Sequence, residues 1–209
     1  MDVVVSEEAL SLLVQYWKSV LTANRQINLV SRSCDFASGL LLHLADSLSG
    51  LMFPFPEERL KVLDFGSGAG LPGLPLKIAR PAWDIFLAEG TVKKAEFLRR
   101  VSAELGLSGV TVHPYNIGPK ARSGADGLGN FGLVTVRAVS SLAYIGDRVS
   151  PLIAEGGFLL AYKGPNFREE ADKCEPALVK GGLFPVAIKK FVLPGTERFR
   201  ALLLYRKKT

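Results

Sequence analysis

Cysteine, histidine, methionine and tryptophan are scarce, with two of each in 209 residues. Cys34 and Cys174 lie far apart, with no C-x-x-C pair or histidine cluster nearby. Neither a disulfide framework nor a metal site is therefore expected, and each cysteine reads as a small packing residue. No apolar run reaches the roughly 18–20 residues that span a bilayer. Asp2, Glu7 and Glu8 stand where a secretory signal would be basic, so a cytoplasmic protein without a membrane role is expected. Repeats and low-complexity tracts are also missing. Hydrophobic residues at 48% and charged residues at 22% exclude a disordered tail or a fibre.

The length suits one large domain, or one domain with a helical extension. The net charge is +6, unevenly spread: −3 over residues 1–60, +4 over 61–163 and +5 over 164–209. A basic C-terminal two-thirds fits a polyanionic partner, because each Lys or Arg on a phosphate releases a counterion. On charge alone a solvated surface tuned for solubility is the favoured reading, and charge does not decide between them.

Ser6 is placed to cap a first helix, Glu7 and Glu8 suit its positive end, and Leu10, Leu13, Val14, Trp17 and Leu21 recur at helical spacing. A second helix is expected from Ser33 or Asp35 through Leu40, Leu41, Leu44 and Leu48, ending at the Pro54–Pro56 break. Residues 1–56 thus read as a helical cap, and residues 57–209 as the main domain. In the latter, short apolar runs (62–65, 85–88, 110–112, 133–136, 158–161) alternate with helical patterns (74–80, 93–105, 142–152). That alternation predicts an α/β fold with a mostly parallel, doubly wound sheet. Residues 186–193 and 200–205, joined by Pro194-Gly195-Thr196-Glu197, predict an antiparallel terminal hairpin at the sheet edge.

The stretch Lys61–Gly73, KVLDFGSGAGLPG, is the most informative. A strand ending in Asp64 runs into Gly66, Gly68 and Gly70, at the carboxyl end where open α/β sheets bind ligands. Glycines there let backbone approach a ligand with no Cβ between. The string from Gly68 to Gly73 also satisfies the dinucleotide pattern G-x-G-x-x-G. Two features argue against a diphosphate. Pro72 and Pro75 remove amides that would bind it, and Asp64 would repel it while suiting a cationic amino-acid moiety. Glu89, 25 residues beyond Asp64, is placed to take ribose hydroxyls. A ligand with a ribose, a positive end and no phosphate is S-adenosylmethionine.

Residues 63–76, LDFGSGAGLPGLPL, resemble the G-x-G-x-G-L-P-G-I-P-L segment of the bacterial RsmG (GidB) methyltransferases. Asn28–Ser31, His43–Leu48, Val136-Arg137-Ala138 with Ser141-Leu142, and Lys163-Gly164 resemble further segments of that family, so the similarity runs over nearly the whole chain. The resemblance implies a Rossmann-like S-adenosylmethionine-dependent methyltransferase. Its expected target is N7 of one guanine in 16S rRNA, as RNA or as a small-subunit particle. It places the cofactor against Gly66, Leu71, Ile117, Gly118 and Arg137, beside the residue-based candidates Asp64, Gly68, Gly70 and Glu89. Many relatives carry an acid at the position of Gly118, so a side-chain contact to the adenine amine is not expected there.

The absences bear on the reaction. No N/D-P-P-Y/F motif follows the fourth strand, as exocyclic amino methylation uses, and no cysteine lies at the core strands' ends for carbon-5 chemistry. Guanine N7 needs neither device, since its lone pair is unprotonated at neutral pH and catalysis can come from alignment. Arg137 and Lys163, each at a strand end, are the expected positioning residues, Arg137 by a fork to guanine O6 or phosphate and Lys163 by a phosphate. Arg80, Lys189, Lys190, Arg198 and Arg200 are the expected RNA contacts, with a solvated sheet edge as the alternative for the hairpin lysines. His43 reads equally as a partner of Asp46 or Ser47. Asn28 and Ser31 read as pocket or cap residues. Other methyl acceptors, an NAD-linked oxidoreductase and a nucleic-acid module with a degenerate cofactor site are the competing readings. Oligomeric state is open, with a monomer expected.

Overall fold

A computed structural model describes residues 3–56, 58–114, 128–139 and 141–208. Helix α1 (Glu7–Ala23) starts where Ser6 Oγ accepts the Ala9 amide. Its buried stripe is Ala9, Leu13, Tyr16, Trp17, Val20 and Ala23, while Leu10 is half exposed. The expected face was thus about one residue off. Apolar residues occupy more than half the helix circumference, and only packing selects the face. Asp35 caps the next helical run by accepting the Ser38 amide. That run passes through α2 (Phe36–Gly39), a π-helical segment (Leu40–Ala45), α3 (Asp46–Leu48) and a 3₁₀ turn (Ser49–Met52). Gly39 has no room for a side chain, because its Cβ would land on the Trp17 indole.

Seven strands follow: β1 (Lys61–Phe65), β2 (Asp84–Ala88), β3 (Val110–His113), β4 (Phe131–Arg137), β5 (Ile153–Lys163), β6 (Leu183–Val192) and β7 (Phe199–Lys207). Their order in the sheet is β3-β2-β1-β4-β5-β7-β6, parallel except where β7 pairs antiparallel with β5 and with β6. The terminal hairpin is therefore present, with β6 at the edge and β7 inside. Helices α4 (Gly73–Ala79), α5 (Val92–Glu104), α6 (Leu142–Val149) and α7 (Phe167–Lys180) connect the parallel strands.

Strand alternation divides the core. Val62, Leu133, Leu160 and Leu202 pack with α1, α4 and α5, whereas Leu63, Val134, Leu159 and Leu203 pack with α6 and α7. Tyr16 and Trp17 of the cap sit in the same cluster as the sheet residues, so the cap shares the sheet's core. Truncating a fully buried ring of this kind costs about 3–5 kcal/mol. Helix α7 has no counterpart among the sequence expectations. Pro176 interrupts its pattern, although Phe167, Ala171, Cys174 and Leu178 form a regular buried stripe.

Parallel strands end on one side of the sheet. The carboxyl edges of β1, β2, β4 and β5 bring together Asp64, the Gly66–Gly70 loop, Glu89, Arg137 and Lys163. Because β7 runs the other way, its start, Arg200, meets the end of β5, and Lys163 pairs with Ala201.

Candidate active site

The glycine loop is held from three sides. Tyr16 Oη donates to the Ala69 carbonyl at 2.8 Å. Glu89 Oε2 accepts the Gly68 amide and its Oε1 accepts the Thr91 amide, both at 2.8 Å. Asp64 lies beneath, 1% exposed, with Oδ1 accepting from Thr135 Oγ1 at 3.0 Å and Oδ2 from the Gly73 amide at 3.1 Å. The aspartate thus works on the start of α4 and ties the loop to β4. With Pro72 and Pro75 lacking N–H groups, Gly73 bonded to Asp64, and Leu74 bonded to the Gly70 carbonyl, few amides are left for a diphosphate.

The loop fits S-adenosylmethionine. At Gly68 (φ +56°) an added Cβ would meet only the Gly66 carbonyl, at 4.0 Å, so this backbone faces open space. At Gly66 the same atom would come 2.7 Å from Val139, so that glycine serves packing. Gly70 serves packing too, its Cβ position crowded by Leu74 and Leu98, and Leu71 is buried. Each Glu89 oxygen uses one acceptor site on backbone, and a carboxylate oxygen has a second. Ile117 and Gly118 lie outside the described residues.

Burial pushes the Asp64 carboxyl up to about 6 from its usual 3.8, against the lowering effect of its bonds from Thr135, Gly73 and Ser67 and of the Arg137 charge. The folded protein holds this proton up to about pH 6, whereas the unfolded chain releases it near 3.8. The group's contribution to stability is thus full below pH 3.8 and is lost as pH rises through 6. Asp64→Asn removes that loss. The melting temperature of the variant minus that of the wild type is expected to rise between pH 4 and pH 7. A difference independent of pH would overturn the assignment.

The second half of the site is a cavity of about 700 Å³ beyond the ends of β4 and β5. Ser31, Cys34 and His43 from the cap line it, with Arg137, Lys163 and the hairpin residues Arg198 and Arg200. Four of the five guanidinium N–H groups of Arg137 are hydrogen-bonded to the cap, and the fifth belongs to an ion pair. Nε faces Asp46 Oδ2 at 3.5 Å, and Nη1 donates to the His43 carbonyl and Ser47 Oγ at 3.1 and 2.9 Å. Nη2 meets His43 Nδ1 at 2.7 Å and the Leu42 carbonyl at 3.5 Å. The Leu42 and His43 carbonyls belong to the π-helical segment, whose wider turn leaves acceptors for a side chain; such turns often occur at functional sites.

Asp46, 3% exposed, bridges Arg137 to Arg200, whose Nε lies 3.2 Å from Oδ1. An acid inside an apolar helical stripe is the sequence signal for this role, which goes beyond a partnership with His43. Tyr16, Thr135 and Tyr162, whose Oη donates to the Ser47 carbonyl, are not among the sequence candidates. Lys163 Nζ is held by Glu170 Oε1 at 2.8 Å. His43 bonds through its ring to Arg137 rather than to Asp46 or Ser47. Burial, then the charges of Arg137, Arg200 and Arg198, lower it to about 4, so it is neutral at pH 7.

The RNA-contact candidates are separated. Arg198 and Arg200 line the cavity. Lys189 lies over the Phe53 ring and Lys190 over Phe167, on opposite faces of β6. Arg80 follows α4 just before β2 begins, at the far end of the sheet from the cavity.

A seven-stranded sheet of this order, with an antiparallel inner strand, a glycine loop after β1 and an acid after β2, defines a Rossmann-like S-adenosylmethionine-dependent methyltransferase. The fold is shared with a SAM-dependent methyltransferase from Aquifex aeolicus (TM-score 0.56, 15% identity, covering 81% of this chain and 93% of that one). It is shared also with M. jannaschii TYW2 in complex with AdoMet (TM-score 0.58, 12% identity, 77% and 74%). The chain belongs to the rRNA small subunit methyltransferase G (GidB) family, whose model matches residues 9–198. Ribosomal RNA small subunit methyltransferase G of Dehalococcoides mccartyi strain CBDB1 is 36% identical over 195 residues, covering 92% of this chain and 80% of the relative. The oxidoreductase and degenerate-module readings are thereby set aside.

Proposed function

We propose that this enzyme methylates N7 of one guanine in 16S rRNA, presented as RNA or as the small ribosomal subunit. The observation that carries the proposal is the cationic cavity beside the glycine loop, walled by Lys163, Arg198 and Arg200 and large enough for a nucleotide. The family's name, which specifies small-subunit rRNA, supports the same acceptor. Bound S-adenosylmethionine supplies an electrophilic methyl group. The N7 lone pair forms the new N–C bond as the C–S bond breaks; S-adenosylhomocysteine leaves and the base becomes cationic. No proton is removed, so the site needs no general base, and its work is alignment. Asp64 and Glu89 fix the loop against which the cofactor lies. Arg137 fixes the cap against β4, and Arg198 and Arg200 are placed for backbone phosphates.

This reading goes with a cytoplasmic enzyme acting as a monomer; no helix among the described residues is long and apolar enough to cross a membrane. Small-subunit RNA from cells lacking the modification, incubated with enzyme and S-adenosylmethionine, is expected to gain a single N7-methylguanosine by mass spectrometry. A methyl group on another atom would sink the proposal. Arg198→Ala is expected to weaken RNA binding and to lower the slope of log affinity against log salt by about one. An unchanged slope would remove Arg198 from the phosphate contacts.

A further inference from the structure

We infer that His43 reads the acceptor base, donating its Nε2–H to guanine O6; this rests on the guanine-N7 reading above. The tautomer follows from the partner. A guanidinium has only N–H groups to offer, so the 2.7 Å contact between Arg137 Nη2 and His43 Nδ1 requires the Nδ1 lone pair. The single ring proton then sits on Nε2. That nitrogen makes no hydrogen bond to the described residues and is not among the buried unpaired atoms, and His43 lines the 700 Å³ cavity. The ring is fixed besides by Trp17, 5.3 Å away between centroids.

The cavity thus presents a neutral N–H on a rigid ring. The terminal N–H groups of Arg137 are all bonded to the cap and its Nε is paired with Asp46, Asp46 itself is occupied by two arginines, and Lys163 is held by Glu170. Guanine carries an acceptor, O6, beside N7; adenine carries a donor, N6, in the same place. A fixed donor therefore accepts guanine and rejects adenine without covering N7. Its neutrality matters as well. Methyl transfer places a positive charge on the base, which a cationic donor at O6 would oppose and a neutral imidazole does not. Arg137 thereby acquires a second task, turning His43 the right way and adding its charge to the burial that keeps the ring neutral.

The test compares guanine with 2-aminopurine, which retains N7 but lacks O6, at the position the wild-type enzyme modifies. Wild-type kcat/KM on the 2-aminopurine RNA is expected to fall about 10- to 100-fold. His43→Phe should lose a similar factor on guanine and nothing further on 2-aminopurine. His43→Gln, whose amide offers one acceptor and one donor, should recover part of the loss. All three proteins should bind S-adenosylhomocysteine within threefold of one another. Equal wild-type rates on the two bases, or additive losses in the variant, would overturn the role of His43. Absence of N7-methylguanosine from wild-type reactions would instead overturn the guanine reading itself.

Discussion

Arg137→Ala is expected to lower kcat/KM for RNA methylation by a hundredfold or more and to reduce stability by about 3 kcal/mol. The side chain gathers Asp46, His43, Ser47 and the Leu42 and His43 carbonyls onto the end of β4. Without it, Asp46 remains buried with Arg200 as its one cationic partner, and two carbonyls of the π-helical segment lose a donor. The cost sits at the low end for a broken buried ion pair because Arg200 stays in place. The methylation loss has a separate origin, since the cap wall of the acceptor cavity loses its tie to the sheet. Arg137→Lys should not restore the rate, because three donors on a flexible stem do not reproduce a five-donor fork. Urea midpoints and methylation rates, taken where each variant is fully folded, check both parts. A stable variant with the wild-type rate would falsify the assignment of Arg137.

Gly68→Ala is expected to weaken S-adenosylhomocysteine binding by about a hundredfold while costing about 1–2 kcal/mol in stability. The stability cost is the strain of a left-handed residue carrying a Cβ at φ +56°. The binding cost comes from placing that Cβ in the open space the loop faces. Gly106, after α5, separates the two effects. Its φ is +62° and an added Cβ meets nothing within 4 Å, so Gly106→Ala carries similar strain away from the loop. Calorimetry should show normal cofactor binding in the Gly106 variant and a large loss in the Gly68 variant. Equal affinities would mean that Gly68 does not face the cofactor.

Strand and helix periodicity made the sheet, the hairpin and the glycine loop legible from local pattern. The sequence also placed Arg137 and Lys163 at strand ends on one edge of the sheet, whereas Arg200, read as a hairpin contact for RNA, joins them because β7 runs antiparallel to β5. The loads those side chains carry were not legible. Arg137 looks on paper like a free fork for guanine, but a π-helical turn 94 residues away in sequence takes up its donors. Asp64 looks like a cofactor acid, but the amide it binds lies nine residues on, and only the loop's course brings it there. Lys189 and Lys190 look like a pair, and strand alternation sends them to opposite faces. The two arginine partners of Asp46, Arg137 and Arg200, likewise depend on long-range geometry, which no window of sequence contains.

The position of β7 has a consequence for biosynthesis. It lies between β5 and β6 yet follows both in the chain, so as the polypeptide is made β6 has no neighbour until β7 arrives. The same strand brings Arg200 to Asp46, which the cap has carried since early in synthesis. The residues of the glycine loop are thus made well before those of the hairpin that completes the cavity wall at Arg200.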